Sequence, residues 1–529
     1  MRSGIKLLLA AFLATTSIQN QATADTVLRL DESPVGELDP AKASDYADSI
    51  LMFNIYDALV VPKQGKPGYE PFIAESWEST DGKVFTFRLR DDVKFQSGNP
   101  LTADDVVFSL DRMRALGQGL SYLFDKVEKA EAIDASTVRF TLKEIYAPFI
   151  SALTRLPIVD KKLVMANLGD GNGPMKDWGQ AFLSNHAAGS GAYTVISHNP
   201  QEETVMAKNP AYFLGVPATA PDKVRLRYGL EAATVRTLIA QGEHEISSQW
   251  LPPEVLKSLA ADGAQLLTER GTSGFYIKLN TTKPPFDDVN CRLSVSYAFD
   301  YGTGVKMVAI TDNVSLGSPA TGPLPVGMLG ALPNEQPLKQ DLTKAKEYLS
   351  ACKYKPEDMN IDISWTGEVP IEERFALLLQ ANLSQIGIKA KVSKVPWALF
   401  SDQVSKAERT PVVSQVFVNT MTGDPDTLLS NMYHSSAAGT WMSPEHLKDE
   451  QVDALLEKAR TTLDEAARAK IYEDLNRRLL AIAPSIFAQD QISVFAASDK
   501  VLVPALTDPS KAFALAGFGM SFRLMEMKQ

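Results

Sequence analysis

Hydrophobic and polar positions follow two different periods along this chain, and segments of the two kinds alternate. Residues Val84–Leu89 alternate apolar with polar positions after the turn residues Asp81 and Gly82, which predicts a hairpin strand. Thr102 is predicted to cap a helix, because Asp105 completes a capping box and apolar residues follow at helical spacing. This alternation predicts a mixed α/β chain with several sheets.

The C-terminal half continues the pattern. A helix start is predicted at Thr343, and a helix over residues 372–386 is predicted to end at Gly387. Residues 388–392 alternate as a strand. Residues 452–482 are predicted to form two amphipathic helices with a break at 462–464.

The N-terminus has the three parts of a secretory signal. Arg2 and Lys6 precede an apolar stretch over residues 7–14, and small residues follow at 22–24. The apolar stretch is shorter than the ~20 residues that a helix needs to span a membrane. We expect residues 1–24 to be a cleaved signal peptide. No Cys lies near the cleavage position, so we expect a free, unlipidated protein in the periplasm.

Composition excludes several classes of function. The 529 residues include 53 Lys and Arg against 64 Asp and Glu, a formal charge of −11, which opposes nucleic-acid binding. Five scattered His without metal-ligand spacing argue against a metal site, and we expect no cofactor. Neither G-x-S-x-G nor H-E-x-x-H occurs, so the sequence predicts no hydrolase and no enzyme.

Several short sequence blocks, which occur in the same order along the chain, resemble those of a known family. The chain resembles the extracytoplasmic solute-binding proteins of ABC importers, specifically family 5, which binds peptides, nickel chelates, opines and some oligosaccharides. Most of these blocks are turns, caps and core positions, so they indicate the family without indicating the ligand. The blocks include Leu38-Asp39-Pro40, Ala74-Glu75-Ser76-Trp77, Leu101-Thr102-Ala103-Asp104-Asp105, Gly189-Ser190-Gly191-Ala192-Tyr193, Pro284-Pro285-Phe286-Asp287-Asp288 and Gly423-Asp424-Pro425-Asp426.

The resemblance implies an α/β bilobal periplasmic-binding-protein fold (type II, cluster C) with an extra inserted domain and a two-strand hinge. It implies a first lobe from residues 25–68, 190–272 and 498–529, an inserted smaller domain over 69–189, and a second lobe over 273–497. The hinges are expected near 270–274 and 493–496. The implied partners are a peptide or other small solute, and the permease and ATPase subunits of an inner-membrane ABC importer that receives it. A monomer is expected.

The resemblance also places candidate ligand contacts in the cleft, where aromatic walls and a few polar anchors hold a solute. Some of these residues have a competing structural explanation: Ser33 follows a strand in a polar loop, and Asp424 before Pro425 is equally suited to shaping a turn. The candidates are Ser33, Trp250, Thr272, Trp397, Asn419, Asp424, Asp426, Tyr433 and Trp441.

One departure from the family pattern bears on the ligand. Peptide-binding relatives carry an acidic residue shortly before the Gly-Asp-Pro-Asp block, where it pairs with the peptide amine. Here residues 418–422 are uncharged. Peptides or peptide-like solutes remain the first expectation, and an opine, an oligosaccharide or a metal chelate is the alternative. An exported hydrolase or a chaperone-like protein is the third possibility.

The sequence contains two cysteines. Cys291 and Cys352 are 61 residues apart in a chain expected to be exported, where disulfides persist. A bridge and two buried thiols are both compatible with their positions, and we expect the bridge.

Overall fold

The computed structural model describes residues 25–173, 175–332, 335–367 and 369–528. The predicted signal peptide lies outside the described residues. Over the described ranges, none of the helices has the length and apolar character needed to cross a membrane.

The strands fall into separate sheets along the chain. They are β1 (Val27–Glu32), β2 (Val60–Pro62), β3 (Tyr69–Pro71), β4 (Ala74–Glu78), β5 (Val84–Leu89), β6 (Val127–Asp134), β7 (Thr137–Leu142), β8 (Tyr193–Asn199), β9 (Glu203–Lys208), β10 (Lys223–Tyr228), β11 (Gln265–Leu279), β12 (Gly317–Ser318), β13 (Ile361–Thr366), β14 (Ala390–Val395), β15 (Val413–Asn419), β16 (Ser485–Ala497), β17 (Val501–Leu502) and β18 (Glu526–Met527).

The helices connect and cover these sheets. They are α1 (Tyr46–Ile55), α2 (Ala103–Leu116), α3 (Phe149–Ala152), α4 (Lys161–Ala166), α5 (Gln180–Leu183), α6 (Ala232–Ala240), α7 (Pro253–Ala261), α8 (Val289–Ala298), α9 (Tyr301–Met307), α10 (Leu342–Ala351), α11 (Ile371–Gln385), α12 (Trp397–Val404), α13 (Pro425–Tyr433), α14 (Glu450–Thr461), α15 (Glu465–Ile482) and α16 (Pro504–Thr507).

The first lobe is built on the sheet β1-β10-β9-β8. β1 pairs in parallel with β10, and Ile246 bridges β1 at Leu30 to the end of β16 at Ala497. Apolar side chains of β1, β10 and α1 form its core.

The second lobe is built on the sheet β12-β16-β11-β15-β13-β14. Neighbouring residues of β11 point to opposite faces, as a strand requires. Phe275 and Ile277 pack into one apolar core with α8 and α11, and Tyr276 packs into another with α13 and α15. The sheet is thus covered on both faces, and the ends of β13 and β15 face the first lobe.

A smaller third unit contains the sheet β4-β5-β7-β6 and the helix α2. It has its own apolar core, to which Phe87, Phe140 and Leu110 contribute. Its elements fall within the segment that the sequence assigns to the inserted domain. The exact boundaries of the domains stay a prediction.

Most of the sequence-based elements are confirmed. β5 has the predicted bounds, and Thr102 forms the predicted capping box with Asp105 at the start of α2. The break between α14 and α15 also lies where the sequence placed it. The predicted helix start at Thr343 is shifted by one residue, because Asp341 is the cap and accepts hydrogen bonds from the backbone amides that follow.

Cys291 and Cys352 form a disulfide, with their Cα atoms 5.0 Å apart. The bond ties the start of α8 to the end of α10 on one side of the second lobe.

Candidate functional site

Two long strands connect the lobes and form the floor of the cleft between them. β11 and β16 pair from Gln265 opposite Ala497 to Lys278 opposite Ser485. The register shifts between Arg270 and Gly274, at the level where the strands pass from one lobe to the other. A bulge at this level disrupts the ladder locally, which suits a crossing point between two lobes.

A first cavity of about 470 Å³ lies between the lobes beside β16, and we call it the glutamine cavity. The first lobe contributes the segment 249–254 and the second lobe contributes the start of α11 and residues of β16. Its lining residues are Ser33, Gln249, Trp250, Leu251, Pro252, Pro253, Glu254, Val308, Leu316, Val369, Pro370, Ile371, Arg374, Phe417, Gln489, Gln491 and Ile492.

The charged residues that line the glutamine cavity neutralise one another. Glu254 on α7 and Arg374 on α11 form an ion pair of 2.8 Å, which joins the two lobes. Both side chains are about half exposed, so this pair contributes little to stability, of the order of 0–1 kcal/mol. The rest of the lining is apolar apart from Ser33 and the three glutamines.

A second cavity of about 600 Å³ also lies between the lobes, and we call it the arginine cavity. Arg270 and Thr272 of the hinge strand β11 line it, together with Tyr69 from β3, the loop 326–329 and the segment 423–425. Gln489 and Asp490 are consecutive on β16, so their side chains point to opposite faces. Gln489 lines the glutamine cavity, and Asp490 contacts Val326 of the arginine cavity.

Arg270 is the cation of the arginine cavity that has no acidic partner. Its side chain is exposed and makes no hydrogen bond or ion pair with any of the residues that the structure describes. The other arginine of this cavity, Arg468, is held by Asp424. An unpaired guanidinium with its planar set of donors is suited to bind a carboxylate at two points.

Asp490 is a buried acid whose carboxylate feels the positive charge of Arg270 without forming an ion pair with it. Its Oδ2 accepts a hydrogen bond from the Val326 N–H (2.9 Å), and its side chain is otherwise shielded from solvent. Burial raises the pKa of Asp490 to about 7, and the hydrogen bond from the Val326 N–H and, to a smaller extent, the positive charge of Arg270 oppose that shift.

The candidate residues near the end of β1 have different surroundings. Asp31 is buried and pairs with His244 Nε2 (2.8 Å), and Glu32 is buried beside it. Burial, together with the neighbouring charge of Asp31, raises the pKa of Glu32 well above its ordinary value. Ser33 is exposed and lines the glutamine cavity, as does Trp250, whose side chain is 53% exposed.

Among the other candidates, Asp424 and Asp426 are engaged by arginines. Asp424 accepts two hydrogen bonds from Arg468, each 2.7 Å, and also caps α13. Asp426 accepts from Arg460 (2.8 Å) and from the Ser430 hydroxyl (2.6 Å). Neither carboxylate is a free acid in this conformation, which favours the turn-shaping explanation for Asp424.

The remaining candidates lie at the hinge and in the second lobe. Thr272 lines the arginine cavity and accepts a hydrogen bond from Thr420 (2.6 Å), and Asn419 ends β15 close by. Trp441 packs edge-to-face on Trp397, their ring centroids 5.6 Å apart, outside the linings of both cavities.

Tyr433 is completely buried in the second-lobe core, and its hydroxyl donates to Ser485 Oγ (3.1 Å). The burial of Tyr433 argues against a ligand contact there.

Several residues of the cleft were not predicted from the sequence. Gln249, Gln489 and Gln491 carry no motif, and a glutamine inside a strand gives no signal of its own. Arg270 lies within the predicted hinge segment 270–274. A charged residue at a hinge between two lobes was the one feature of the sequence that could have indicated its place in the cleft.

The architecture of two lobes joined by paired strands, with cavities between them, is that of a ligand-binding receptor that closes on its solute. A family model described as "Bacterial extracellular solute-binding proteins, family 5 Middle" matches residues 68–440. The chain belongs to this family of binding proteins.

Individual relatives agree with this assignment. The chain is 27% identical over 496 residues to the probable D,D-dipeptide-binding periplasmic protein of Escherichia coli (strain K12), covering 91% of this chain and 92% of that protein.

Solved structures of two further proteins share the fold. The periplasmic binding protein DppA from Helicobacter pylori in complex with the peptide STSA has a TM-score of 0.76 and 23% identity, with 96% of this chain and 99% of that chain covered. The binding protein AgaA from A. tumefaciens R10 in complex with agropinic acid has a TM-score of 0.74 and 23% identity, with 95% and 99% covered.

Proposed function

We propose that this protein is the periplasmic receptor of an ABC importer for peptides or peptide-like solutes that carry a carboxylate. The observation that carries the proposal is Arg270, an unpaired guanidinium on the hinge strand between the lobes of a family 5 binding protein. The relative from Escherichia coli, named as a D,D-dipeptide-binding protein, supports the same class of solute.

Closure of the lobes supplies the capture step. Glu254 of the first lobe and Arg374 of the second lobe form an ion pair of 2.8 Å, so the two lobes already touch each other in this structure. A solute that touches both lobes binds only this closed form well, and it shifts the open–closed equilibrium by that difference. The closed receptor then delivers the solute to the permease, and it does so as a monomer.

A carboxylate is a ligand group that the arginine cavity can hold through Arg270. Arg270 has donors and no acidic partner, whereas the acids of the segment 424–426 are already paired. Glu465, an exposed acid at the start of α15, also lines this cavity, so a free amine is compatible with it. The pairing of Asp424 and Asp426 supports an opine-like solute as a second candidate, in which the amine is substituted and the carboxylate is retained.

The direct test is the mass of the solute that co-purifies with the mature protein from a periplasmic extract. Native mass spectra before and after mild denaturation give the released masses. A series of released masses that differ by the masses of amino-acid residues supports a sequence-tolerant peptide receptor. A single released mass supports an opine-like solute. Binding without catalysis predicts that an added solute is released with its mass unchanged.

Arg270→Gln tests the carboxylate anchor. We expect binding to fall by about 1.5–3 kcal/mol, because a charge-assisted hydrogen bond is lost. Arg236→Gln, an exposed arginine on α6, is the matched control. Wild-type affinity in Arg270→Gln would contradict the proposal.

A further inference from the structure

The glutamine cavity contains polar atoms that the protein itself leaves unpartnered. The side-chain atoms Gln249 Nε2, Gln489 Oε1 and Gln491 Oε1 are buried and make no hydrogen bond with any described part of the chain. Gln249 is 8% exposed and Gln489 is 3% exposed. A buried polar atom without a partner is costly, so three of them around one cavity point to a ligand that supplies the partners.

The orientation of these amides follows from their surroundings. The Ser493 hydroxyl donates to Gln249 Oε1, and Gln249 Nε2 is left without a partner among the described residues. Gln489 packs closely over Gly317, where a Cβ atom would come within 2.4 Å of the Gln489 side chain. The absence of a side chain at Gly317 therefore makes room for this amide.

The cavity selects against charged groups. Its charged lining residues, Glu254 and Arg374, are satisfied by each other. A carboxylate has no hydrogen to donate to the glutamine oxygens, and an ammonium has no lone pair to accept from Gln249. The partner must both donate and accept.

We propose that the glutamine cavity is a subsite for a primary carboxamide, such as the side chain of a glutamine or asparagine residue in a peptide-like solute. A carboxamide has two N–H donors, which match the Oε1 atoms of Gln489 and Gln491, and one carbonyl, which matches Gln249 Nε2. Trp250, Phe417 and Ile492 supply apolar walls for the methylene groups that carry it. This inference rests on the proposed function, since it names a group that the receptor selects in the same cleft.

The test compares three tripeptides of similar size by calorimetry on the mature protein: Ala-Gln-Ala, Ala-Glu-Ala and Ala-Met-Ala. We expect the glutamine peptide to bind about 10- to 100-fold more tightly than the other two, because either one leaves buried amide groups unpaired. Gln489→Met keeps the length of the side chain without its amide, and it should abolish this preference. Gln451→Met, an exposed glutamine at the start of α14, should leave the preference intact.

A non-peptide probe separates the two proposals. Propanamide and propanoate are compared by saturation-transfer NMR with wild-type protein and Gln489→Met. If none of the tripeptides binds but propanamide gives a signal that Gln489→Met removes, the peptide proposal fails and the carboxamide subsite stands. Equal affinity for the three tripeptides, or a propanamide signal that survives in Gln489→Met, overturns the subsite. Thermal unfolding of each variant confirms that it is folded.

Discussion

Asp424 and Arg468 form a buried two-point ion pair, in which both guanidinium Nη atoms lie 2.7 Å from a carboxylate oxygen. The side chains are 8% and 7% exposed. Burial is the largest single effect on Arg468 and disfavours its charge, but the charge and hydrogen bonds of Asp424, together with the charges of Tyr472 and Asp426, outweigh it and raise the pKa of Arg468, so the guanidinium stays charged. The pair holds the start of α13 to α15 beside the arginine cavity.

Asp424→Asn should therefore destabilise the protein rather than act mainly on ligand affinity. Removing one partner leaves a buried charge uncompensated, and we expect a loss of about 3–5 kcal/mol in the free energy of unfolding. Urea unfolding measures this loss. Asp402→Asn, whose carboxylate pairs with Arg409 at the surface, should cost less than about 1 kcal/mol. A folded, fully stable Asp424→Asn with lost affinity would identify Asp424 as a ligand anchor instead.

The sequence was informative where local chemistry decides the structure. The capping box at Thr102 and the break between α14 and α15 are set by neighbouring residues, so they are readable without the fold. The family blocks added the two lobes and the hinge. The ion pair of Asp424 could not be predicted from the sequence, because Arg468 is 44 residues away and only the packing of the fold brings it to the carboxylate.

The cleft chemistry was the least predictable part of the molecule. Gln249 and Gln489 lie 240 residues apart in the chain, and each is an ordinary polar residue by itself. They meet only because Ile246 pairs with the end of β16 and brings the following loop to that strand. Trp250 was a candidate because the family resemblance places its segment in the cleft, and the structure puts it in the lining of the glutamine cavity.

Trp250→Ala should weaken ligand binding without unfolding the protein. The indole is about half exposed and lines the glutamine cavity, so its loss removes a wall for the solute and little packing from the core. We expect a loss of roughly 1–3 kcal/mol in binding free energy, measured by calorimetry with the co-purified solute. Ile196→Ala, an exposed apolar residue on β8, is the control and should bind normally. Wild-type affinity in Trp250→Ala would remove this residue from the site.

The ion pair between Glu254 and Arg374 should bias the resting receptor toward its closed form. Glu254→Gln removes the attraction between the lobes, and an exposed pair is worth at most about 1 kcal/mol, or roughly a fivefold shift in population. Small-angle scattering of the solute-free protein should show a larger radius of gyration for the variant, with the difference shrinking at high salt. The exchanged pair Glu254→Arg with Arg374→Glu should restore compaction. An unchanged radius in Glu254→Gln would show that the pair has no part in closure.

Asp490 should make the stability of the protein fall as the pH rises from about 4 to about 7. Burial raises the pKa of Asp490 from its ordinary value near 3.8 to about 7, so over this interval the folded state binds a proton that the unfolded state has released. The full effect is up to about 4 kcal/mol, and other buried acids add to the same trend. Asp490→Asn retains an acceptor for the Val326 N–H and should flatten the profile of unfolding free energy against pH, whereas Asp499→Asn, at an exposed turn, should not. If Asp490→Asn and the wild type lose stability in parallel across this range, the Asp490 carboxylate is already ionised in the folded protein at low pH and does not cause the trend.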